Sequence, residues 1–337
     1  AGICAMVATL TQGAGARFNT GLLLAIAYAA LIGGIGTPIG TPPNLIGIGM
    51  LDKLANFKIP FYVWMQLAVP IMLVMLALMI ALLYALHRPP ALEIAGLSKF
   101  IAGRKGELGV WTRGQKNTLI AFSLAILLWV LPGIVAALAG SNSEFYKLLD
   151  AHLHEESVSL IAAILLFLMP VDWAKREFTL TWKDAVQIDW GTILLFGGGL
   201  ALGGLIFSTG LADVMGNAII ETTGVQSVWG ITAIATGLAI IITEFTSNTA
   251  TANMLAPLII SVASTAGISP VPPVIGVCLG ASMAFMLPVS TPSNAIVYGS
   301  GRVPIAAMIR AGILLDVTGF FVINAGLRLL CPLLGLA

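Results

Sequence analysis

Two segments of the sequence place threonine, proline and asparagine at the same spacing. Residues 37–49 read TPIGTPPNLIGIG, and residues 287–299 read LPVSTPSNAIVYG. Six of these thirteen positions are identical: Pro38/Pro288, Thr41/Thr291, Pro42/Pro292, Asn44/Asn294, Ile46/Ile296 and Gly49/Gly299. Because proline stops a helix from continuing, it leaves backbone carbonyl groups unpaired, and carbonyl and hydroxyl oxygens are ligands for small hard cations. The repeat therefore predicts two related polar breaks that could bind a cation.

A third polar cluster, residues 243–249 with the sequence TEFTSNT, interrupts a long apolar stretch. Its oxygens suit a cation, whereas the backbone N–H groups at the start of the following helix suit an anion. A hydrogen-bond patch between packed helices is an alternative interpretation, since Ser, Thr and Asn form such patches in membrane bundles. For the two repeated segments, the alternative is a pair of proline kinks, which the duplication disfavours.

The composition defines the class of protein that must position these groups. Hydrophobic residues make up 58% of the 337-residue chain and charged residues 9%, whereas soluble domains contain about 25% charged residues. We therefore predict an all-α polytopic membrane protein in a lipid bilayer. The formal net charge is +1 and there is no basic arm, so nucleic acid is not an expected partner. Cys4, Cys278 and Cys331 lie in or beside apolar runs, which indicates buried thiols without a disulfide framework or zinc spacing.

The apolar runs predict helices, since a span needs about 20 residues. These helices cover residues 18–36, 45–55, 60–87, 117–139, 158–170, 191–209, 271–287 and 304–333, with breaks at 37–44 and 288–294. The runs 227–243 and 250–266 are short for full spans, which predicts a re-entrant hairpin with its tip at 243–249.

Lysine and arginine are distributed unevenly among the polar segments. Segment 88–116 carries six, 141–157 carries one and 172–190 carries three. Cytoplasmic loops carry an excess of these residues, so 88–116 and 172–190 are predicted to be cytoplasmic. Neither break nor the hairpin tip contains Lys or Arg, and the nearest is Arg302. A bound dianion would then depend on helix N-termini, amides, hydroxyls and accompanying cations.

A matched pair of broken apolar segments is typical of a transporter binding site. The motifs resemble those of the divalent anion/sodium symporter (DASS) family, which includes sodium:di/tricarboxylate transporters. The resemblance covers essentially the whole chain and rests on SNT at 247–249, AFMLPVSTPSNAIV at 284–297, TPIGTPPN at 37–44 and LLFGGG at 194–199. It implies an inverted-repeat transporter with a re-entrant hairpin and two broken helices, which forms a homodimer and works by an elevator-like alternating-access mechanism.

The resemblance also implies the function. The expected activity is sodium-coupled transport of di- or tricarboxylates such as succinate, malate, fumarate or citrate, with sodium as the coupling ion, no cofactor and no catalytic residue. Carboxylate exchange, sulfate transport and proton coupling are alternatives within transport. The alternatives from other classes are an ion channel and a membrane-embedded hydrolase with Ser247 as nucleophile, although no histidine lies near the tip in sequence. The bacterial inner membrane is the expected location.

The family's site residues carry over onto the matching positions of this sequence. The resemblance implies that the substrate is bound by Ser247, Asn248, Thr249, Thr291, Pro292, Asn294, Thr41, Pro42 and Asn44. It implies that sodium is bound by Thr243, Thr246, Asn248, Ser290 and Gly40, of which Gly40 is the repeat partner of Ser290.

The resemblance further divides the chain into four parts. These are a first-repeat transport part at 1–87, a cytoplasmic segment at 88–116, scaffold helices at 117–209 and a second-repeat transport part at 210–337. The family pattern also requires a first hairpin with its own Ser-Asn-Thr, which the 250-residue offset would place just before Ala1. We therefore expect this chain to be an N-terminally truncated piece that lacks half of the first sodium site.

Several other polar residues lie near apolar runs. Glu244 adjoins the tip, and we expect it to face polar neighbours at the interface, although intramembrane carboxylates are functional candidates by default. Asp316 lies inside the last apolar run, where it is expected to pair or face a cavity. The run His152, His154, Glu155 and Glu156 resembles a metal cluster, but we interpret it as a solvated loop because further ligands are absent nearby.

Overall fold

The structure, a computed structural model, describes residues 15–88, 103, 109–140 and 142–337. Its α-helices are α1 (Ala16–Gly34), α2 (Pro42–Ala55), α3 (Phe61–Leu86), α4 (Arg113–Ala139), α5 (Glu144–His152), α6 (Glu155–Leu168), α7 (Trp182–Ala185), α8 (Trp190–Ser208), α9 (Leu211–Thr223), α10 (Val228–Thr243), α11 (Asn248–Thr265), α12 (Val271–Ala281), α13 (Pro292–Gly299) and α14 (Ile305–Leu333). A 3₁₀ turn, Pro38–Gly40, lies between α1 and α2. Two short antiparallel strands, β1 (Pro170–Asp172) and β2 (Glu177–Phe178), complete the described elements. Cys4 and most of segment 88–116 lie outside the described residues.

Among the helices that the structure describes, five are long and apolar enough to cross a membrane: α1, α3, α4, α8 and α14. Their outward faces carry large apolar side chains, such as Leu194 on α8 at 72% exposure and Ile80 on α3 at 57%. Water disfavours faces of this kind, whereas lipid does not. The all-α polytopic membrane fold is thereby confirmed.

The two breaks begin and end earlier than predicted. The second break was expected at 288–294, but α12 already ends at Ala281 and α13 begins at Pro292. In the first break, α1 ends at Gly34 and α2 begins at Pro42 instead of Leu45. Proline at the first helical position starts a helix readily, because its missing N–H would have had no partner there. The prolines at 42 and 292 therefore belong to the resumed helices.

The chain divides into two compact units. The first unit comprises Ala1–Ile59, Trp64–Ala95 and Gly191–Ala337, so it contains both breaks and the hairpin tip. Within it, α1 packs against α13, and α2 packs against α12. The helix before each break thus contacts the helix after the other break, and the two broken segments lie side by side.

Helices α10 and α12 are packed very closely within the first unit. A Cβ on Gly280 of α12 would lie 2.8 Å from the Thr236 carbonyl oxygen of α10, and one on Gly276 would lie 2.4 Å from Thr236 Oγ1. Only glycine tolerates such an approach of two helix backbones. This packing fixes the end of α10, and therefore the hairpin tip, against the start of the second break.

The second unit comprises Pro60–Val63 and Gly96–Trp190, and it packs α4 against α5 and α6. The Phe61 and Trp129 rings stack with centroids 5.0 Å apart. The Glu155 carboxylate accepts a hydrogen bond from the Phe61 N–H, so it binds the start of α3. No cluster of metal-ligating side chains occurs among the described residues, and the run that begins at His152 is instead the end of α5 and the start of α6.

Candidate functional site

A buried asparagine holds the second break open. Asn294 is fully buried, and its Nδ2 donates hydrogen bonds to the carbonyl oxygens of Ala284 at 2.8 Å and Leu287 at 3.0 Å. Its backbone N–H donates to Thr291 Oγ1 at 3.3 Å, so Thr291 caps α13. Both carbonyls lie beyond the end of α12 and have lost their place in a helical ladder. The asparagine amide therefore supplies donors that the helix no longer provides.

The first break repeats this arrangement 250 residues earlier. Asn44 is also fully buried, and its Nδ2 donates to the carbonyl oxygens of Thr37 at 2.9 Å and Gly34 at 3.3 Å. In both breaks, the acceptors lie ten and seven residues before the asparagine. The cap residues Thr41 and Thr291 have similar backbone angles, φ −150° and ψ 143° against φ −143° and ψ 151°. The repeated sequence thus folds into a repeated local geometry.

An aromatic side chain from a distant element binds one carbonyl in each break. The Ile35 carbonyl oxygen accepts from Trp64 Nε1 at 3.0 Å, and the Phe285 carbonyl oxygen accepts from the Tyr28 hydroxyl at 3.0 Å. Ile35 and Phe285 are themselves 250 residues apart. Both breaks are therefore fixed by donors from outside the broken segment, which satisfies carbonyls that proline-interrupted helices leave unpaired.

Glu244 lies behind the second break instead of facing the interface, so that prediction is wrong. The residue is fully buried at the end of α10. Its Oε1 accepts from the Met286 N–H at 2.9 Å, and its Oε2 accepts from the Leu287 N–H at 3.1 Å. The unwound backbone of the second break offers these two donors, and the carboxylate satisfies both.

Three oxygen atoms meet at the base of the hairpin tip. Thr243 Oγ1 lies 2.8 Å from Asn248 Oδ1 and 2.7 Å from the Ala281 carbonyl oxygen. A hydroxyl group has a single hydrogen, so it can donate fully to only one of these acceptors. A cluster of hydroxyl, amide and carbonyl oxygens with one hydrogen among them has the chemistry of a site for a small hard cation.

The remaining tip residues make local contacts. Ser247 Oγ accepts from the Ala250 N–H at 3.1 Å and caps α11. Thr246 Oγ1 lies 2.8 Å from Thr251 Oγ1 of α11. Its side chain therefore contacts the second arm of the hairpin and not the oxygen atoms around Thr243. Ser247 and Thr246 are exposed. The N–H groups at the start of α11 therefore lie beside an accessible polar tip.

Gly40 and Ser290 occupy equivalent places in the two breaks. The Gly40 N–H donates to the Thr37 carbonyl oxygen at 3.1 Å, and the Ser290 N–H donates to the Leu287 carbonyl oxygen at 3.4 Å. Ser290 Oγ also donates to the Leu287 carbonyl oxygen at 2.7 Å. A Cβ at Gly40 would lie 2.3 Å from the Gly34 carbonyl oxygen, which explains why this copy carries glycine.

The predicted site residues thus form three groups in the first unit. They are the tip group (Thr243, Thr246, Ser247, Asn248 and Thr249), the second-break group (Ser290, Thr291, Pro292 and Asn294) and the first-break group (Gly40, Thr41, Pro42 and Asn44). Among the described residues, Oδ1 of Asn44 and Oδ1 of Asn294 have no hydrogen-bond partner although both are buried. Buried amide oxygens without donors are ready acceptors for a bound ion or ligand.

Sequence reasoning missed the supporting residues. The Ala281 carbonyl belongs to a residue without a polar side chain, and Tyr28 and Trp64 lie in apolar helices where an aromatic residue is unremarkable. The position of Glu244, one residue after Thr243, was the one available signal for its role.

Comparisons with known proteins agree with this geometry. Residues 5–334 match the family described as the sodium:sulfate symporter transmembrane region. The chain belongs to this family, the divalent anion/sodium symporters. This membership confirms the resemblance found in the sequence motifs. The duplicated breaks thus occur in a member of a family of membrane carriers.

Curated relatives of this chain include three bacterial transporters. The sodium-dependent dicarboxylate transporter SdcS of Staphylococcus saprophyticus is 33% identical over 318 residues, which cover 94% of this chain and 60% of the relative. An uncharacterized transporter of Haemophilus influenzae is 33% identical over 303 residues, covering 90% and 61%. SdcS of Staphylococcus aureus strain USA300 is 33% identical over 298 residues, covering 88% and 56%. The chain thus spans less than two thirds of the length of each relative.

Proposed function

We propose that the protein containing this chain is a secondary active transporter that moves di- or tricarboxylate anions together with sodium. The observation that carries the proposal is the duplicated geometry of the breaks, in which Asn44 and Asn294 bind equivalent carbonyls beside an oxygen cluster at the hairpin tip. Family membership and two relatives named as sodium-dependent dicarboxylate transporters support the same assignment.

Sodium is proposed to bind at two related places. At the tip, Thr243 and Asn248 would contribute side-chain oxygens. Thr246 and Ser290 are proposed as further ligands of this site because they match the family's sodium-binding positions. Gly40, in the equivalent place to Ser290, would contribute to the other site. The support is the set of hydroxyl, amide and carbonyl oxygens that surround Thr243, because hard cations prefer such ligands.

The anion is proposed to bind where three helices begin. Helices α2, α11 and α13 start at Pro42, Asn248 and Pro292, and each helix N-terminus carries a partial positive charge. The first N–H groups of α11 are available as donors, whereas the prolines that open α2 and α13 have no N–H. The proposed substrate contacts are Ser247, Asn248, Thr249, Thr291, Pro292, Asn294, Thr41, Pro42 and Asn44. Because these segments contain no Lys or Arg, bound sodium would supply the charge that balances the dianion.

The mechanism we propose is elevator-like alternating access in a homodimer of the bacterial inner membrane. The reciprocal packing of α1 on α13 and of α2 on α12 supports an inverted repeat. The half before one break contacts the half after the other break, as expected for two broken helices that run in opposite directions. The hairpin of α10 and α11 is proposed to be re-entrant. Segments 1–87 and 210–337 would then form the transport part, and 117–209 the scaffold.

Two alternatives within transport need separate tests. A carboxylate exchanger would use the same site without net sodium movement. A sulfate carrier is favoured by the name of the matched family, which refers to sodium:sulfate symport. The hydrolase alternative is weakened by the role of Ser247, whose hydroxyl caps α11. In the part of the chain that the structure describes, Ser247 Oγ contacts the Ala250 backbone N–H, which cannot act as a general base.

The test is uptake by the full-length protein in lipid vesicles. Succinate, citrate and sulfate are offered with an inward sodium gradient, with potassium in place of sodium, and with unlabelled succinate loaded inside. The proposal predicts concentrative, sodium-dependent uptake of a carboxylate. Equal uptake without sodium would contradict it, uptake only into preloaded vesicles would identify an exchanger, and accumulation of sulfate alone would identify a sulfate carrier.

A further inference from the structure

Basic side chains from two helices meet at one end of the first unit. Arg17, near the start of α1, donates a hydrogen bond from Nε to the Leu86 carbonyl oxygen at the end of α3, at 2.9 Å. The next two residues after Leu86 are His87 and Arg88. A Cβ on Gly21 of α1 would lie 2.4 Å from His87 Cβ, so the two helices are in close contact here. The end of α3 therefore places its basic residues beside Arg17.

The loop between α13 and α14 reaches the same end of α1. Thr20 Oγ1, one turn after Arg17, lies 3.0 Å from the Arg302 carbonyl oxygen. In the part of the chain that the structure describes, a cavity of about 760 Å³ opens at this junction, and its lining includes Ala16, Tyr298 and Arg302. A third basic residue is thereby held close to the other two, beside a space large enough for a polar group.

These segments carry positive charge without a carboxylate of their own. Residues 15–21, 86–88 and 298–310 contain no Asp or Glu. Burial, together with the charges of Arg17 and Arg310, lowers the pKa of His87, as expected where the local potential is positive. We use the term arginine cluster for the three exposed side chains Arg17, Arg88 and Arg302.

Exposed tyrosines accompany the arginine cluster. Tyr84 lies one turn before Arg88 and is 63% exposed, and Tyr298 lies four residues before Arg302 and is 41% exposed. Tyrosine is enriched where a membrane protein meets the lipid headgroups. Arg88 also opens the segment 88–116, whose six Lys and Arg residues predict a cytoplasmic location. The cluster would then lie at headgroup level in the cytoplasmic leaflet.

We propose that the arginine cluster binds the phosphate group of an anionic phospholipid. Exposed guanidinium groups can each donate two parallel hydrogen bonds to phosphate oxygens, and basic pockets between membrane helices suit lipid headgroups. The acyl chains would lie along the outward face of α3, where Tyr84 and Ile80 are exposed. This apolar face favours a lipid over a soluble phosphate, because it contributes binding only to a ligand that has chains.

A lipid at this place would act on both broken segments. It would join the start of α1, which leads into the first break, to the loop that follows α13 after the second break. The site includes none of the residues proposed to bind substrate or sodium. It depends on the membrane fold and not on the identity of the transported anion.

Native mass spectrometry of the full-length protein in detergent tests the site, with phosphatidylglycerol and phosphatidylcholine as the titrated lipids. The wild type is expected to bind phosphatidylglycerol more tightly. The double variant Arg88→Gln with Arg302→Gln, which keeps the Arg17–Leu86 hydrogen bond, should weaken the first phosphatidylglycerol by about 25-fold, since each cation near the surface contributes roughly fivefold. The matched control Arg328→Gln removes an exposed arginine near the other end of α14 and should leave this affinity unchanged.

Three results would overturn the proposal. They are equal affinity of the wild type for the two lipids, unchanged phosphatidylglycerol affinity in the double variant, and displacement of phosphatidylglycerol by an equal concentration of inorganic phosphate. If the double variant does not fold, each single glutamine variant should show a loss of roughly fivefold, and no loss in either would be equally decisive.

Replacement of the same two residues by lysine separates charge from structure. Lysine keeps the positive charge, so the double variant Arg88→Lys with Arg302→Lys should still prefer phosphatidylglycerol to phosphatidylcholine. A loss as large as that of the glutamine variants would contradict a site based on charge. The titration uses neither sodium nor a carboxylate, so failure of the lipid site is distinguishable from failure of the proposed transport function.

Discussion

Replacing Asn294 or Asn44 by alanine tests whether these two side chains maintain the breaks. In the second break, the Leu287 carbonyl oxygen would keep the Ser290 hydroxyl and N–H as donors, so the loss falls mainly on the Ala284 carbonyl. In the first break, the Thr37 carbonyl would keep the Gly40 N–H, and the loss falls on Gly34. Each variant therefore leaves about one buried acceptor without its asparagine donor.

The expected cost follows from that count. A buried acceptor left unsatisfied costs about 1–3 kcal/mol, and a midpoint of about 2 kcal/mol corresponds to roughly a 30-fold change in an equilibrium constant. If the broken conformation is the one that binds sodium, each variant raises the sodium concentration for half-maximal succinate binding by roughly 30-fold. The assay is equilibrium succinate binding to the detergent-solubilised full-length protein, titrated with sodium, alongside its thermal unfolding.

Asn324→Ala is the matched control for this pair. The Asn324 amide also donates to a carbonyl oxygen, that of Phe320 at 2.8 Å, but this acceptor lies one turn earlier inside α14. The helical ladder satisfies such a carbonyl, so the control is expected to cost less than about 0.5 kcal/mol. Sodium dependence in Asn44→Ala and Asn294→Ala that matches the control would contradict a role for these asparagines in maintaining the breaks.

Three further predictions address other parts of the first unit. Thr243→Ala removes the central oxygen of the tip cluster and should weaken apparent sodium affinity by roughly tenfold or more, whereas Thr243→Ser should retain it; equal affinities would contradict the cation assignment. Gly280→Ala should lower the free energy of unfolding by about 1–3 kcal/mol because its Cβ meets the α10 backbone, whereas Gly197→Ala, with open space around it, should not. Burial, reinforced by the Arg17 charge, lowers the pKa of His87, so its contribution to stability is present above about pH 6.5 and is lost as the pH falls through the lowered pKa. His87→Gln should therefore lose less thermal stability than the wild type between neutral and acidic pH, and parallel losses would contradict this.

The duplicated breaks could be predicted from the sequence because their chemistry is local. Proline, threonine and asparagine recur at fixed spacing, and each residue type has a defined effect on a helix terminus. The structure bears out the internal repeat down to the acceptors of Asn44 and Asn294. The apolar runs similarly predicted the long helices to within a few residues, since hydrophobic length dominates in such chains.

The limits of the second break could not be predicted because distant groups determine them. Helix α12 ends at Ala281, ten residues before Thr291, and the unwound stretch is held by Glu244 and Tyr28. A hydropathy pattern registers only the apolar character of residues 282–287 and continues the helix through them. The same limitation explains the wrong expectation for Glu244, whose partners are backbone N–H groups about 40 residues away.

The sodium dependence of anion binding shows whether bound sodium supplies the positive charge of the site. We propose that the two asparagine-bound breaks and the Thr243 oxygen cluster bind a dianion without Lys or Arg, so that sodium supplies the positive charge. Titration of the full-length protein with succinate at several sodium concentrations is predicted to show affinity that rises with sodium and is lost in its absence. Succinate binding with the same affinity in sodium-free buffer of equal ionic strength would contradict the account.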